Sequence, residues 1–166
     1  MKEISYRLAE YKDCLDLAIV KKQVWNTTYR GIYSDESLDN FDVERNVNTF
    51  KKIIDNPNIK LFVTLDREKV IGFMDIGTPF KPYMDYKQEL GLLYILKEYQ
   101  RRGIGRLLMN VARDTVKANG YNEFIVSCNT ENVNGQKFYE AMGGVIININ
   151  ELKNITNTEI KFKFEI

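Results

Sequence analysis

Apolar positions along this chain repeat with two periods, one near 3.6 residues and one of 2, and the two alternate in blocks. Ile4 to Ala9 reads as a short first strand. From Asp13 the positions Leu15, Ala18, Ile19, Trp25 and Tyr29 recur at helical spacing, which predicts a helix to about Asn26. The stretch from Thr28 to Asp35 reads as a turn. Ser34 or Asp35 then caps a short helix through Phe41, and Val43 to Ile54 forms a second amphipathic one, stopped by Asn56-Pro57-Asn58.

Lys60 to Leu65 and Lys69 to Ile76 are strand-like runs joined by Asp66-Arg-Glu-Lys69, a hairpin signal. Gly77 to Lys87 is a loop carrying two prolines and three aromatics. Glu89 to Leu96 predicts a strand, Gly103 to Asn119 a helix stopped by Gly120, Asn122 to Cys128 a strand, and Val133 to Met142 a helix. Gly144 to Ile149 and Glu159 to Ile166 close the chain as strands. The last alternates cleanly and is expected to be an exposed edge able to pair with a partner subunit. The order β-α-α-β-β-β-α-β-α-β-β predicts an α/β fold on a mixed sheet.

Composition narrows the function classes. The 166 residues suit one domain with one core, and no repeat or linker divides them. No apolar run approaches the roughly 20 residues a membrane span needs, and the start lacks a signal-peptide core, so no membrane role and a cytoplasmic location are expected. The 24 basic and 23 acidic residues leave a net charge of +1, which argues against broad nucleic-acid binding. Cys14 and Cys128 make no CxxC and no metal-like cluster. The chain has no histidine, which excludes Ser-His-Asp and Cys-His catalysis and most zinc sites, so no metal is expected. Acid–base chemistry falls to Glu, Asp, Tyr, Lys or water.

The densest chemical signal is Gln100-Arg-Arg-Gly-Ile-Gly-Arg106, between a strand and a helix. Its glycines admit a ligand close to backbone amides, the helix start offers unpaired N–H groups and a positive dipole end, and Arg101, Arg102 and Arg106 add charge. A Walker loop would need a lysine and a hydroxyl that are missing, and a dinucleotide fingerprint would need a third glycine where Leu108 stands. The acyl-CoA pattern Q/R-x-x-G-x-G/A is matched by Gln100, Gly103 and Gly105. On that pattern alone, a glycine-capped helix with solvated arginines stays equally open.

Two longer stretches carry a family resemblance. Leu93 through Leu108 resembles the signature motif of the GNAT superfamily of acetyl-CoA-dependent N-acetyltransferases. Asn132-Val-Asn-Gly-Gln-Lys-Phe-Tyr-Glu-Ala-Met-Gly-Gly144 resembles its second motif, and Thr28-Tyr-Arg-Gly-Ile-Tyr33 is similar to the N-terminal helix pair of many members. Three departures stand out: Lys97 replaces a common proline, Gly135 a usual alanine, and Gly144 a frequent phenylalanine.

The resemblance implies one domain over residues 1–166, a mostly antiparallel mixed sheet flanked by helices, and acetyl transfer from acetyl-CoA to a primary amine of a small molecule or peptide in a ternary complex. It implies a cofactor site at Leu93, Tyr94, Ile95, Gln100, Arg101, Arg102, Gly103, Ile104, Gly105, Arg106, Asn132 and Asn134. An amide near Ile95 would also serve the thioester carbonyl. Tyr139 is implied as the acid that protonates the departing sulfur, and Glu89 as the base. The acceptor pocket is expected at Trp25, Tyr29, Tyr33 and Tyr83, with Phe80 nearby. A homodimer is a habit of the family. Two other readings stay open, a non-catalytic acyl-CoA sensor and an RNA-binding patch of arginines.

Overall fold

The computed structural model describes residues 3–154 and 156–166. Seven strands form one sheet in the order β1-β2-β3-β4-β5-β7-β6: Ile4–Leu8 (β1), Ile59–Asp66 (β2), Lys69–Gly77 (β3), Glu89–Ile95 (β4), Glu123–Asn129 (β5), Val145–Ile146 (β6) and Glu159–Glu165 (β7). Five helices accompany them: Cys14–Thr28 (α1), Asp35–Asp39 (α2), Val43–Asp55 (α3), Ile104–Ala118 (α4) and Val133–Ala141 (α5). The mixed, mostly antiparallel sheet flanked by helices is the expected fold class. The short α2 is the helix expected after Ser34, and it makes three helices between β1 and β2 where the element order counted two. The chain groups into two compact units, one running to Asp75 and resuming over Leu92–Gly105, the other made of Ile76–Gly91 and Arg106–Ile166.

In the first unit β1 lies antiparallel to β2, from Ile4 opposite Asp66 to Leu8 opposite Phe62. The β2–β3 hairpin turns at Arg67, held at φ 57. Before α1, Asp13 is buried yet charged. It is paid for by the Arg7 guanidinium, whose two nitrogens reach its oxygens at 2.8 and 2.9 Å, and by the Glu10 amide at 2.8 Å. The Arg7 bond holds the Asp13 carboxyl below the usual carboxylate range. Ser34 caps α2 and Asp42 caps α3 through side-chain oxygens on the Ser37 and Arg45 amides. Helices α1 and α3 pack on each other, and Phe50 of α3 meets Phe73 of β3 edge-on at 5.1 Å. Gly72 of β3 admits a close approach: a Cβ there would stand 2.7 Å from the Tyr94 carbonyl oxygen of β4.

In the second unit β4 starts parallel to β5, with Glu89 opposite Ile125 and Leu90 opposite Val126. Strand β7 lies antiparallel to β5 from Glu159 opposite Asn129 to Glu165 opposite Glu123. Its alternation is real, with Ile160, Phe162 and Phe164 buried. It is not an edge, however: β6 covers its other side, so β1 and β6 are the edge strands. The expected strand Gly144–Ile149 shrinks to Val145–Ile146 because Asn148 is buried and its amide side chain takes over the pairing. Asn148 Nδ2 donates to the Glu159 carbonyl at 2.8 Å, and its Oδ1 accepts the Lys161 amide at 2.9 Å.

Candidate functional site

Two main-chain features define the β4–α4 corner. The Leu96 amide donates to the Ile71 carbonyl of β3 at 2.9 Å, and the Leu92 amide donates to the Asp75 carboxylate of β3 at 2.7 Å. Both therefore point toward β3. Alternation along a strand turns the amides of Leu93 and Ile95 the other way. The chain then leaves β4 through a 3-10 turn over Lys97–Tyr99, and Arg101 and Gly103 adopt left-handed φ values of 62 and 83 before α4 begins at Ile104. A Cβ on Gly103 would meet nothing within 4 Å, so the glycine is demanded by its φ and faces open space.

The arginines differ in what they do. Arg102 lies over the Tyr99 ring at 5.5 Å, and Lys69 lies over the same ring at 5.4 Å. Tyr99 is buried and donates its hydroxyl to Asp66 at 2.9 Å, so this ring anchors the turn. Arg101, Arg102 and Arg106 are all exposed. The Gln100 side chain donates to the Ile95 carbonyl at 2.9 Å and ties the turn back to β4.

Three of the four expected pocket aromatics come together in the first unit. Tyr29 and Tyr33 stack at 4.6 Å, and Trp25 meets Tyr29, Tyr33 and Phe41 at 6.2, 5.4 and 5.5 Å. Tyr94, expected at the cofactor site, sends its side chain into this cluster. It accepts the Trp25 indole N–H at 3.2 Å, hydrogen-bonds Tyr29, and packs on Phe73 at 5.4 Å. Burial pushes its phenol well above the usual range. A groove of about 420 Å³ runs past Trp25 and Phe41, with Lys21, Arg45 and Asp42 on its walls. Lys21 sits over the Trp25 ring at 5.2 Å and donates to Asn46 at 2.9 Å. Burial lowers its pKa, with the Asp75 charge working against that.

Tyr83 keeps different company, in the second unit. It donates to Glu151 at 2.7 Å, carries Lys161 over its ring at 4.7 Å and stacks on Tyr86 at 6.4 Å. Burial, then the Glu151 bond, pushes its phenol up to about 12. Phe80 is largely exposed.

The second motif is built around its asparagine. Asn132 caps α5 by accepting the Gly135 amide on Oδ1 at 3.0 Å, and a Cβ at position 135 would lie 2.7 Å from its Nδ2. Gly135 stands where alanine is usual because the cap folds over it. Gly144 has a like cause: a Cβ there would meet the Phe164 ring at 2.8 Å and the Tyr139 carbonyl at 2.9 Å. The Tyr139 ring is half-buried against Phe138, Phe162 and Phe164 at 5.2, 5.7 and 6.3 Å. Asn134 is exposed, and Glu89 is half-buried at the start of β4.

Sequence reasoning missed Asp75, Lys21 and Phe41. Asp75 left a signal, as the lone charge inside the apolar run Val70 to Ile76. Among the described residues, no His/Cys/Asp/Glu group could hold a metal, and no helix is long and apolar enough to cross a membrane.

Comparison with known proteins identifies a family and a shared fold. A family model described as an acetyltransferase (GNAT) domain matches residues 30–153. The chain is 27% identical over 145 residues to a spermidine N(1)-acetyltransferase of Thermoplasma acidophilum, covering 84% of this chain and 87% of that one. It is 29% identical over 125 residues to the uncharacterized N-acetyltransferase YuaI of Bacillus subtilis, covering 74% and 70%. Among solved structures, the PaiA N-acetyltransferase of Thermoplasma acidophilum, in complex with coenzyme A, superposes with a TM-score of 0.80 at 23% identity over 99% of both chains.

Proposed function

Since the chain belongs to the GNAT acetyltransferase family, we propose that it transfers acetyl from acetyl-CoA to a primary amine of a small molecule. The observation that carries this is the β4–α4 corner, where the Leu93 and Ile95 amides turn away from β3 and lead into a left-handed turn flanked by three arginines. The residues there fit the cofactor, because the open space at Gly103 and the start of a 15-residue helix suit a diphosphate. Leu93 and Ile95 hold the pantetheine arm, and the 101–106 turn with Arg101 and Arg106 holds the phosphates.

When bound, acetyl-CoA supplies a thioester-activated acetyl group. The protein supplies two proton transfers. An amine of ordinary pKa arrives as ammonium, and neutralising it at pH 7 costs about 4–5 kcal/mol. Glu89 accepts that proton. Tyr139 would donate its phenol proton to the departing sulfur. The Ile95 amide donates to the carbonyl oxygen as charge builds on it.

For the acceptor, the Thermoplasma acidophilum spermidine acetyltransferase, matched over most of its length, favours a small amine. The aromatic wall of Trp25, Tyr29 and Tyr33 suits an aliphatic amine body. The test is release of CoA thiol from acetyl-CoA over a panel of amines that begins with spermidine. Release with one or more is expected. Tight CoA binding without release from any of them would make the protein an acyl-CoA sensor instead.

A further inference from the structure

Strand β3 is buried from Val70 to Gly77, and Asp75 lies within that run at 6% exposure. Burying a carboxylate costs several kcal/mol unless strong partners replace its water. One partner is the Leu92 amide, at 2.7 Å from Oδ1, the short distance of a charge-assisted bond. The antiparallel register that sets Leu96 against Ile71 also sets Leu92 against Asp75, so the carboxylate engages β4 from the facing position. A second interaction is electrostatic, with Lys21 of α1, which reaches Asn46 and the Trp25 ring.

We propose that Asp75 is a positioning residue for the reaction: by holding the Leu92 amide from β3, its carboxylate sets the main chain of β4 so that the neighbouring amides of Leu93 and Ile95 face the cofactor. This rests on the reading that β4 carries the pantetheine arm. What matters is an oxygen acceptor at the end of the side chain. The negative charge shortens that bond, but a neutral carbonyl oxygen at the same place can accept the same N–H. An asparagine keeps such an oxygen, whereas alanine or leucine leaves the Leu92 N–H without it.

The test compares Asp75→Ala, Asp75→Leu and Asp75→Asn by calorimetric CoA affinity, by steady-state kinetics and by hydrogen exchange at the Leu92 amide. Leucine fills the volume, so it serves if the alanine variant does not fold. Removing the acceptor should weaken CoA binding about tenfold and raise the KM for acetyl-CoA more than it lowers kcat. Protection at Leu92 should fall in step. Asp75→Asn should bring CoA affinity back to within about threefold of the unmodified protein.

Unchanged CoA affinity in Asp75→Leu, with only a lower melting temperature, would make Asp75 a packing residue and end the proposal. So would an asparagine variant as impaired as the leucine one, since charge would then be the cause. If the unmodified protein binds no CoA, the proposed function fails by itself. The Leu92 exchange data then separately report whether Asp75 holds β4.

Discussion

In the turn from Gln100 to Arg106 the chain shapes its site from main-chain conformation, with two left-handed residues in three positions and an amide side chain stitched back to β4. In α5 the motif residues are side chains already placed in the fold, Asn132 as a helix cap and Tyr139 within a cluster of phenylalanines. The turn has little structural reason to look as it does, since a left-handed arginine costs on the order of 1 kcal/mol or more. The helix would keep its asparagine and its aromatic ring for packing alone. A motif that strains the backbone is therefore stronger grounds for a ligand than one that also caps and packs.

That contrast can be broken most sharply at Tyr139. Tyr139→Phe retains the ring, so melting should shift little, while turnover should fall by about 10²–10⁴ if the phenol is the acid. Stopped-flow or steady-state thiol release measures this, and unchanged turnover would remove the Tyr139 phenol from the chemistry. Next is Gly103→Val, which forces a branched residue to φ 83. Strain of about 1–3 kcal/mol should appear as loss of CoA affinity in calorimetry, by roughly 5- to 150-fold. Equal loss of melting temperature without loss of affinity would count against the turn as the phosphate site.

Asn132→Ala should lower stability by about 1 kcal/mol through loss of the cap, measurable as urea midpoint. A larger effect on KM for acetyl-CoA than on stability would give the asparagine a second role at the ligand. The smallest effects belong to single arginines. Arg101→Ala or Arg106→Ala should each weaken CoA by about 2- to 5-fold, a difference that shrinks as salt is raised. Insensitivity to both substitution and salt would move the phosphates elsewhere.

Much of this was legible in the chain. Helix α4 and the in–out pattern of β7 follow from periodicity, because each buries one face, and the β2–β3 hairpin follows from two apolar runs on either side of a polar turn. The corner was legible because Gly103 takes a left-handed φ that favours glycine, whereas the left-handed Arg101 gave no such signal. Other features were hidden because period alone does not say what lies beside a strand. The alternation of β7 would read the same at an edge or inside, and β6 ended early because one asparagine side chain bonded where backbone was expected. The run that carries Tyr94 was legible as a strand, but not that its side chain reaches Trp25.

The missing side chain at position 72 sets how near β3 and β4 lie, since the first carbon of any substituent would press on the Tyr94 carbonyl. A single methyl group there would act like a shim, spreading the two strands and shifting the main chain of β4.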